Sequence, residues 1–172
     1  MYRYQILIEY VGTNFIGWQI QSKGLSVQKL IEIKLYKLLK EKINLVGSGR
    51  TDSGVHAIEQ SAHFDYKKKI EKLEGKIFWN NSAESIIGKI NGLYPSPGGW
   101  FLYNGERYKI LKAEISNGVG KAGTVLDNYL EICCSEKSIK ILEIQRQGKR
   151  PQNINEFMLG SQIKKGSNLN NV

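Results

Sequence analysis

The first 66 residues contain three runs that predict strands and one amphipathic stretch that predicts a helix. In YRYQILIEY, apolar side chains occupy every second position, which is typical of a strand with one buried face. Ser26 precedes a stretch with apolar residues at helical spacing, and a serine at this place caps a helix. The segments KINLVGSGR and IEQSAHFDY predict two further strands, so the order is β-α-β-β. We expect the apolar stripe of the helix to comprise Val27, Leu30, Ile31, Leu35, Leu38 and Leu39.

This order is the opening part of the β-α-β-β-α-β unit of a ferredoxin-like domain. The Lys-rich stretch KKKIEKLEGK follows Tyr66, and stretches of this kind often join domains. We therefore predict a partial ferredoxin-like domain at 1–66, a basic linker at 67–81 and a second domain at 82–172. Because a partial sheet leaves an unpaired edge, homodimer formation through the first domain is a further hypothesis.

The second domain begins with a predicted helix at 82–90, for which Ser82 supplies the cap. A Pro- and Gly-rich segment, NGLYPSPGGW, ends that helix. Short strand-like segments then follow, including WFLY, RYKILKAEI, GTVLD, YLEICC and IKILEIQRQG. The dipeptide Asn104-Gly105 between the first two of these segments predicts a tight hairpin. A short helix at 155–159 and a strand at 161–164 complete the pattern, which predicts a small β-barrel and an α+β protein.

Charge narrows the class of partner. The chain has 25 Lys and Arg against 16 Asp and Glu, for a formal net charge of +9. Residues 1–66 contain 8 basic against 6 acidic side chains, whereas the remainder contains 17 against 10. This balance favours a polyanionic partner such as RNA, or an anionic membrane surface, and most of the positive charge lies in the second domain.

Cysteine usage and hydropathy indicate a cytoplasmic protein. Cys133 and Cys134 are adjacent in an alternating run, so they cannot form an ordinary disulfide with each other. No apolar stretch reaches the roughly 18 residues of a membrane span, so we expect no membrane-spanning segment. Of the two polyanionic partners that the charge allows, we expect RNA and not a membrane. The N-terminal segment also lacks the small-residue cleavage site of a signal peptide.

The segment GRTDSGVHA, at 49–57, is the richest in chemistry-bearing residues. Asp followed by Ser-Gly is common in turns, so Asp52 has a purely structural interpretation. The alternative is chemical: Arg50 would hold a phosphate and keep the carboxylate ionised, while the glycines let the backbone approach a flipped nucleotide. Residue types alone leave both interpretations open.

Three segments, YQILIEYVGTNFIGWQIQ, SVQKLIE and GSGRTDSGVHAIEQSAHFD, resemble in order the N-terminal half of the tRNA pseudouridine synthase A family. The resemblance implies that Asp52 is the catalytic carboxylate that isomerises uridine to pseudouridine in the tRNA anticodon arm, without metal or cofactor. It implies that Arg50 lies beside Asp52 and helps to hold the flipped nucleotide. Thr51 and His56 are further candidate substrate contacts in the same segment, although a histidine in a turn can equally cap a backbone carbonyl. The local pattern ERYKI adds Tyr108 as a candidate, although the segments around it resemble another family. The second half of that catalytic domain is not recognisable in this sequence, so inactivity of the synthase site is an open alternative.

The segments KIFWNNSAESIIGKINGLYPSPGGWFLYNGERYKILKAEI, GTVLDNYLEICCSEKSIKILEIQRQGKRP and INEFMLG resemble the C-terminal domain of methionyl-tRNA formyltransferase, from about residue 70 to 169. This resemblance implies a small OB-like barrel with a basic surface for tRNA and no catalytic group, so formyltransferase activity is not expected. The alternative function is therefore a noncatalytic tRNA-binding module. Strand and turn positions make five residues candidate phosphate contacts: Lys109, Lys112, Arg146, Lys149 and Arg150.

Overall fold

The computed structural model describes residues 1–170, which divide into two compact units, the first ending at Lys69 and the second beginning at Ile70. This boundary falls inside the predicted linker at 67–81. Ile77 and Trp79 are only 3% and 1% exposed and belong to the core of the second unit. Residues 70–81 are therefore folded as part of the second unit. The Lys-rich stretch just before Ile77 and Trp79 hid this signal in the sequence.

The first unit has the predicted element order β-α-β-β. Its elements are strand β1 at Tyr2–Tyr10, a 3-10 turn at Gly12–Asn14, helix α1 at Val27–Leu39, strand β2 at Val46–Gly47 and strand β3 at Ala57–Tyr66. The strands form an antiparallel sheet in the order β1-β3-β2. The run KINLVGSGR supplies only the two residues of β2, fewer than its pattern predicts. The ferredoxin-like assignment of this unit stays a prediction.

Helix α1 is capped as predicted. The Ser26 hydroxyl accepts a hydrogen bond from the Lys29 amide at 3.2 Å, and the helix ends where Lys40 adopts a left-handed conformation. The stripe prediction is wrong at Leu38, which is 75% exposed because the small core of this unit does not extend to it. The buried residues of that core are Trp18, Val27, Ile43, Leu45, Ala62 and Phe64.

The second unit is built on a five-stranded sheet in the order β4-β5-β7-β6, with β8 paired to β7. Its elements are a 3-10 turn at Lys72–Gly75, helix α2 at Ala83–Gly92, strands β4 at Gly99–Tyr103, β5 at Glu106–Ser116, β6 at Glu131–Cys133, β7 at Ser138–Arg146 and β8 at Gln152–Asn153, and helix α3 at Ile154–Gly160. The sheet is curled and barrel-like, and together with the first sheet it makes the protein α+β.

Most local signals in this unit are confirmed, and two are wrong. The hairpin turn between β4 and β5 has positive φ at both Asn104 and Gly105, 50° and 74°. The GTVLD segment lies beside β6 and is hydrogen-bonded to it, but it forms only isolated bridges at Thr124 and Val125, because β6 is itself only three residues long. Residues 161–164 are irregular. Strand β8 was not predicted because two residues are too few to carry a pattern.

The core of the second unit packs α2 and α3 against the sheet. Trp79 meets Phe101 edge-on, with ring centroids 5.6 Å apart, and Phe101 stacks on Tyr108 at 5.5 Å. Cys133 and Cys134 are both buried and unpaired, as predicted. Within residues 1–170 no helix has the length and apolar character needed to cross a membrane.

Candidate functional site

The segment 49–56 joins β2 to β3, and its backbone is held by the loop at 11–18. The Trp18 amide donates to the Thr51 carbonyl at 2.9 Å, and the Gly54 amide donates to the Phe15 carbonyl at 3.2 Å. The approach is so close that a Cβ atom at Gly12 would overlap the Val55 carbonyl. Glycine is therefore required at position 12, and the two loops form one fixed platform.

The backbone of Asp52 takes part in a turn, but its side-chain carboxylate takes no part in the hydrogen bond of that turn. The Val55 amide donates to the Asp52 carbonyl at 3.2 Å, and Gly54 supplies the positive φ of 80° that this turn needs. The side chains of Arg50, Asp52 and His56 are exposed, and among the described residues no hydrogen bond or ion pair engages them. The structural interpretation of Asp52 thus explains its backbone and leaves its carboxylate free for another use.

Thr51 differs from its neighbours. Its hydroxyl lies 2.7 Å from the Tyr10 hydroxyl, and the residue is half-buried. Its visible role is to tie the platform to strand β1. In the first unit, the Asp52 side chain is open to water. Uridine isomerisation, by contrast, needs a carboxylate that lies next to an extruded base and is shielded from solvent.

The second unit gathers cationic side chains around two cavities. The larger, of about 300 Å³, is lined by Arg146, Lys149 and Arg150 together with residues of β8 and α3. The smaller, of about 120 Å³, lies beside it, shares Arg146, and adds Arg107 and Lys109 from β5. We refer to these five residues, Arg107, Lys109, Arg146, Lys149 and Arg150, as the basic surface.

Two carboxylates belong to the same region. Arg146 donates to Glu106, and Arg150 donates to Glu156. The hydrogen bond from Arg146 holds the pKa of the Glu106 carboxyl below its usual value. Glu106 also accepts a hydrogen bond from the Tyr108 hydroxyl at 2.9 Å, and burial, reinforced by this carboxylate, raises the pKa of Tyr108 to about 12. The cavity wall is thus a network with both arginines oriented by carboxylates.

The structure brings four of the five predicted phosphate contacts together. Lys112 is the exception: it lies beyond a bulge in the pairing of β5 with β7, opposite Glu143, and lines neither cavity. Arg107 was missed, although its spacing of two from Lys109 places both on the face of β5 opposite Tyr108. Tyr108, predicted to contact substrate, is 4% exposed in the core of the second unit and also lines the larger cavity.

Comparison with known proteins finds similarities for both parts of the chain. The family model of the formyl transferase C-terminal domain matches residues 69–162, more than half of the chain. The chain belongs to the formyl transferase C-terminal domain family. The family model of tRNA pseudouridine synthase matches residues 6–81, so its match and that of the formyl transferase C-terminal domain overlap at 69–81.

Curated relatives show the same two similarities. A methionyl-tRNA formyltransferase of Pelagibacter ubique is 54% identical over 168 residues, covering 95% of this chain and 54% of the relative. The tRNA pseudouridine synthase A of the same organism is 73% identical over 92 residues, covering 51% of this chain and 37% of the relative. A methionyl-tRNA formyltransferase of a Bradyrhizobium species is 40% identical over 105 residues, covering 59% and 34%. The chain therefore spans about a third to a half of the length of these relatives.

Proposed function

We propose that this chain binds tRNA through the basic surface of its second unit. The observation that carries the proposal is the arrangement of five cationic side chains around two adjoining cavities that share Arg146. Phosphates are contacted by such side chains without any need to recognise base edges. The names of the relatives, which concern methionyl-tRNA and tRNA, support tRNA as the polyanion.

The balance of charge at this surface favours an anionic ligand. Glu106 pairs with Arg146, and Glu156 pairs with Arg150. The positive charges of these two arginines are therefore partly neutralised, and their guanidinium groups are held in fixed orientations. The ammonium of Lys109 is held by a neutral group, the Pro95 carbonyl, at 3.3 Å, and the Arg107 guanidinium lies 5.9 Å from the centre of the Trp100 ring. Arg107, Lys109 and Lys149 form no ion pair with a carboxylate among residues 1–170, and their charges are available to phosphates.

A triple variant tests this proposal. Arg107→Gln/Lys109→Gln/Lys149→Gln removes three available charges, so it should flatten the slope of log K against log salt by up to about 2.7, taking the value of about 0.9 per phosphate contact that holds for B-form DNA. Affinities are measured by fluorescence anisotropy with an unmodified tRNA transcript. The matched control is Lys29→Gln/Lys34→Gln/Lys37→Gln, which removes three exposed charges from α1. Equal loss in both variants would show that only net charge matters.

A second candidate function is pseudouridine formation at Asp52. The match of residues 6–81 to tRNA pseudouridine synthase and the free carboxylate on the platform favour it. If it operates, the chain releases tritium from tRNA labelled at carbon 5 of uridine, and Asp52→Asn abolishes release while binding stays intact. Release no greater than a blank at any protein concentration would eliminate this function and leave the binding role alone.

A further inference from the structure

Phe78 is an exposed aromatic residue of the second unit that lines neither cavity of the basic surface. The segment from Lys76 to Trp79 alternates, with Ile77 and Trp79 buried at 3% and 1% exposure. Phe78 is 55% exposed. Because its two neighbours are anchored in the core, the ring cannot turn inward without withdrawing them. Phe78 therefore faces solvent at a cost, since an apolar ring left in water forgoes the gain of burial.

Two ammonium groups lie near this ring. The Nζ atoms of Lys76 and Lys89 are 5.9 Å and 5.8 Å from its centroid, within the range of a cation–π contact. Lys89 extends from α2 and also donates a hydrogen bond to the Lys76 carbonyl at 3.0 Å, which ties the helix to the segment that carries Phe78. The ring and both charges are thus held as one group, which we name the Phe78 platform.

An unpaired nucleotide fits the chemistry of this platform. Proteins bind single-stranded RNA by stacking bases on exposed aromatic rings while nearby cations contact the phosphates. A protein partner fits less well, because lysine is depleted from the centres of protein interfaces.

We propose that the Phe78 platform stacks an unpaired base of bound RNA, with Lys76 and Lys89 contacting the flanking phosphates. The proposal rests on the proposed RNA binding and adds a single-stranded contact to it. Phe78 is the stacking residue, and the two lysines hold the backbone on either side of the base.

The test uses the full chain and a labelled oligomer of eight uridines, with affinity followed by fluorescence anisotropy. Phe78→Ala should weaken binding roughly 5- to 150-fold, the range for loss of one base–aromatic stack. Phe78→Leu keeps much of the apolar area but has no aromatic face, so it should behave like Phe78→Ala, whereas Phe78→Trp should retain affinity. Tyr129→Ala is the control, because Tyr129 is 63% exposed and carries no lysine over its ring within the described part of the chain.

A second readout uses an oligomer with one 2-aminopurine, whose fluorescence falls on stacking. Quenching by the wild-type chain that is lost in Phe78→Leu supports the proposal, and wild-type affinity with unchanged quenching in Phe78→Leu overturns it. If the stacking proposal is overturned but tRNA still binds with the expected salt slope, the proposal for the Phe78 platform is wrong and the proposed tRNA binding stands. If the wild-type chain binds neither RNA, the proposed function fails as well. Circular dichroism confirms that each variant is folded.

Discussion

Replacing Gly12 with alanine should separate the two loops that form the platform under Asp52. A Cβ atom at this position would lie 2.5 Å from the Val55 carbonyl carbon and would overlap the carbonyl oxygen. Its φ lies outside the left-handed region, so alanine adopts the backbone conformation without strain and the effect is purely steric. Gly12→Ala therefore tests the loop contact itself.

The size of the effect follows from the distances. Restoring an ordinary carbon–carbon contact of about 3.5 Å requires the loops to move apart by about 1 Å. Such a movement stretches the hydrogen bonds from Trp18 to Thr51 and from Gly54 to Phe15, now 2.9 and 3.2 Å, beyond useful length. At about 0.5–1.5 kcal/mol for each bond, the platform loses about 1–3 kcal/mol of local stability.

Amide hydrogen exchange measured by mass spectrometry reports this loss. Peptides that contain the Trp18 and Gly54 amides should exchange about 5- to 150-fold faster in Gly12→Ala, the factor that corresponds to about 1–3 kcal/mol. Gly49→Ala is the matched control in the same segment, because its Cβ would meet only the Gln60 side chain at 3.8 Å. Unchanged exchange in Gly12→Ala, or equal acceleration in both variants, would refute the close approach of the two loops.

Three further predictions concern the second unit. Gly88→Ala should stabilise it by about 0.5–1 kcal/mol in urea unfolding, because Gly88 lies inside α2 with open space around it, and a destabilised variant would contradict this. Trp79→Ala should cost about 3–5 kcal/mol in the same experiment, since Trp79 is 1% exposed, and a loss below 1 kcal/mol would show a looser core. Burial raises the pKa of the Cys134 thiol to about 12, so the thiol is protonated at pH 8. A thiol reagent should therefore label Cys134 only as fast as the chain unfolds, and labelling within seconds would show that the thiol is open to solvent.

Local signals predicted the parts of the fold that local chemistry determines. Ser26 and Ser82 cap their helices with their own hydroxyls, and Asn104-Gly105 adopts positive φ without help from distant residues. The short extent of β2 and the absence of a strand at GTVLD follow from strand pairing, which sequence alternation does not contain. Ile77 and Trp79 were assigned to a linker because the Lys-rich stretch at 67–76 comes directly before them, yet their spacing of two is itself a signal of burial in a strand-like segment.

The candidate sites show the same division. Arg50, Thr51 and Asp52 are adjacent in the sequence, which predicted that they share one loop. The sequence did not show that the Asp52 carboxylate is exposed or that hydrogen bonds fix the backbone of this loop, and the structure shows both. The prediction for Lys112 relied on its being a cation on the same strand as Lys109, but Lys112 is paired with Glu143, farther along the sheet than Gln145 and Arg146, and it lines neither cavity. Arg107 was recoverable from simple alternation with Lys109.

Lysine footprinting of the full chain tests the central claim, tRNA binding by the basic surface, most directly. The chain is acylated with and without an unmodified tRNA transcript, and the modification of each lysine is quantified by mass spectrometry. The account predicts that tRNA protects Lys109 and Lys149, while Lys29, Lys34 and Lys37 on the exposed side of α1 remain reactive. Protection confined to the α1 lysines, or no protection of Lys109 and Lys149 at saturating tRNA, would contradict it.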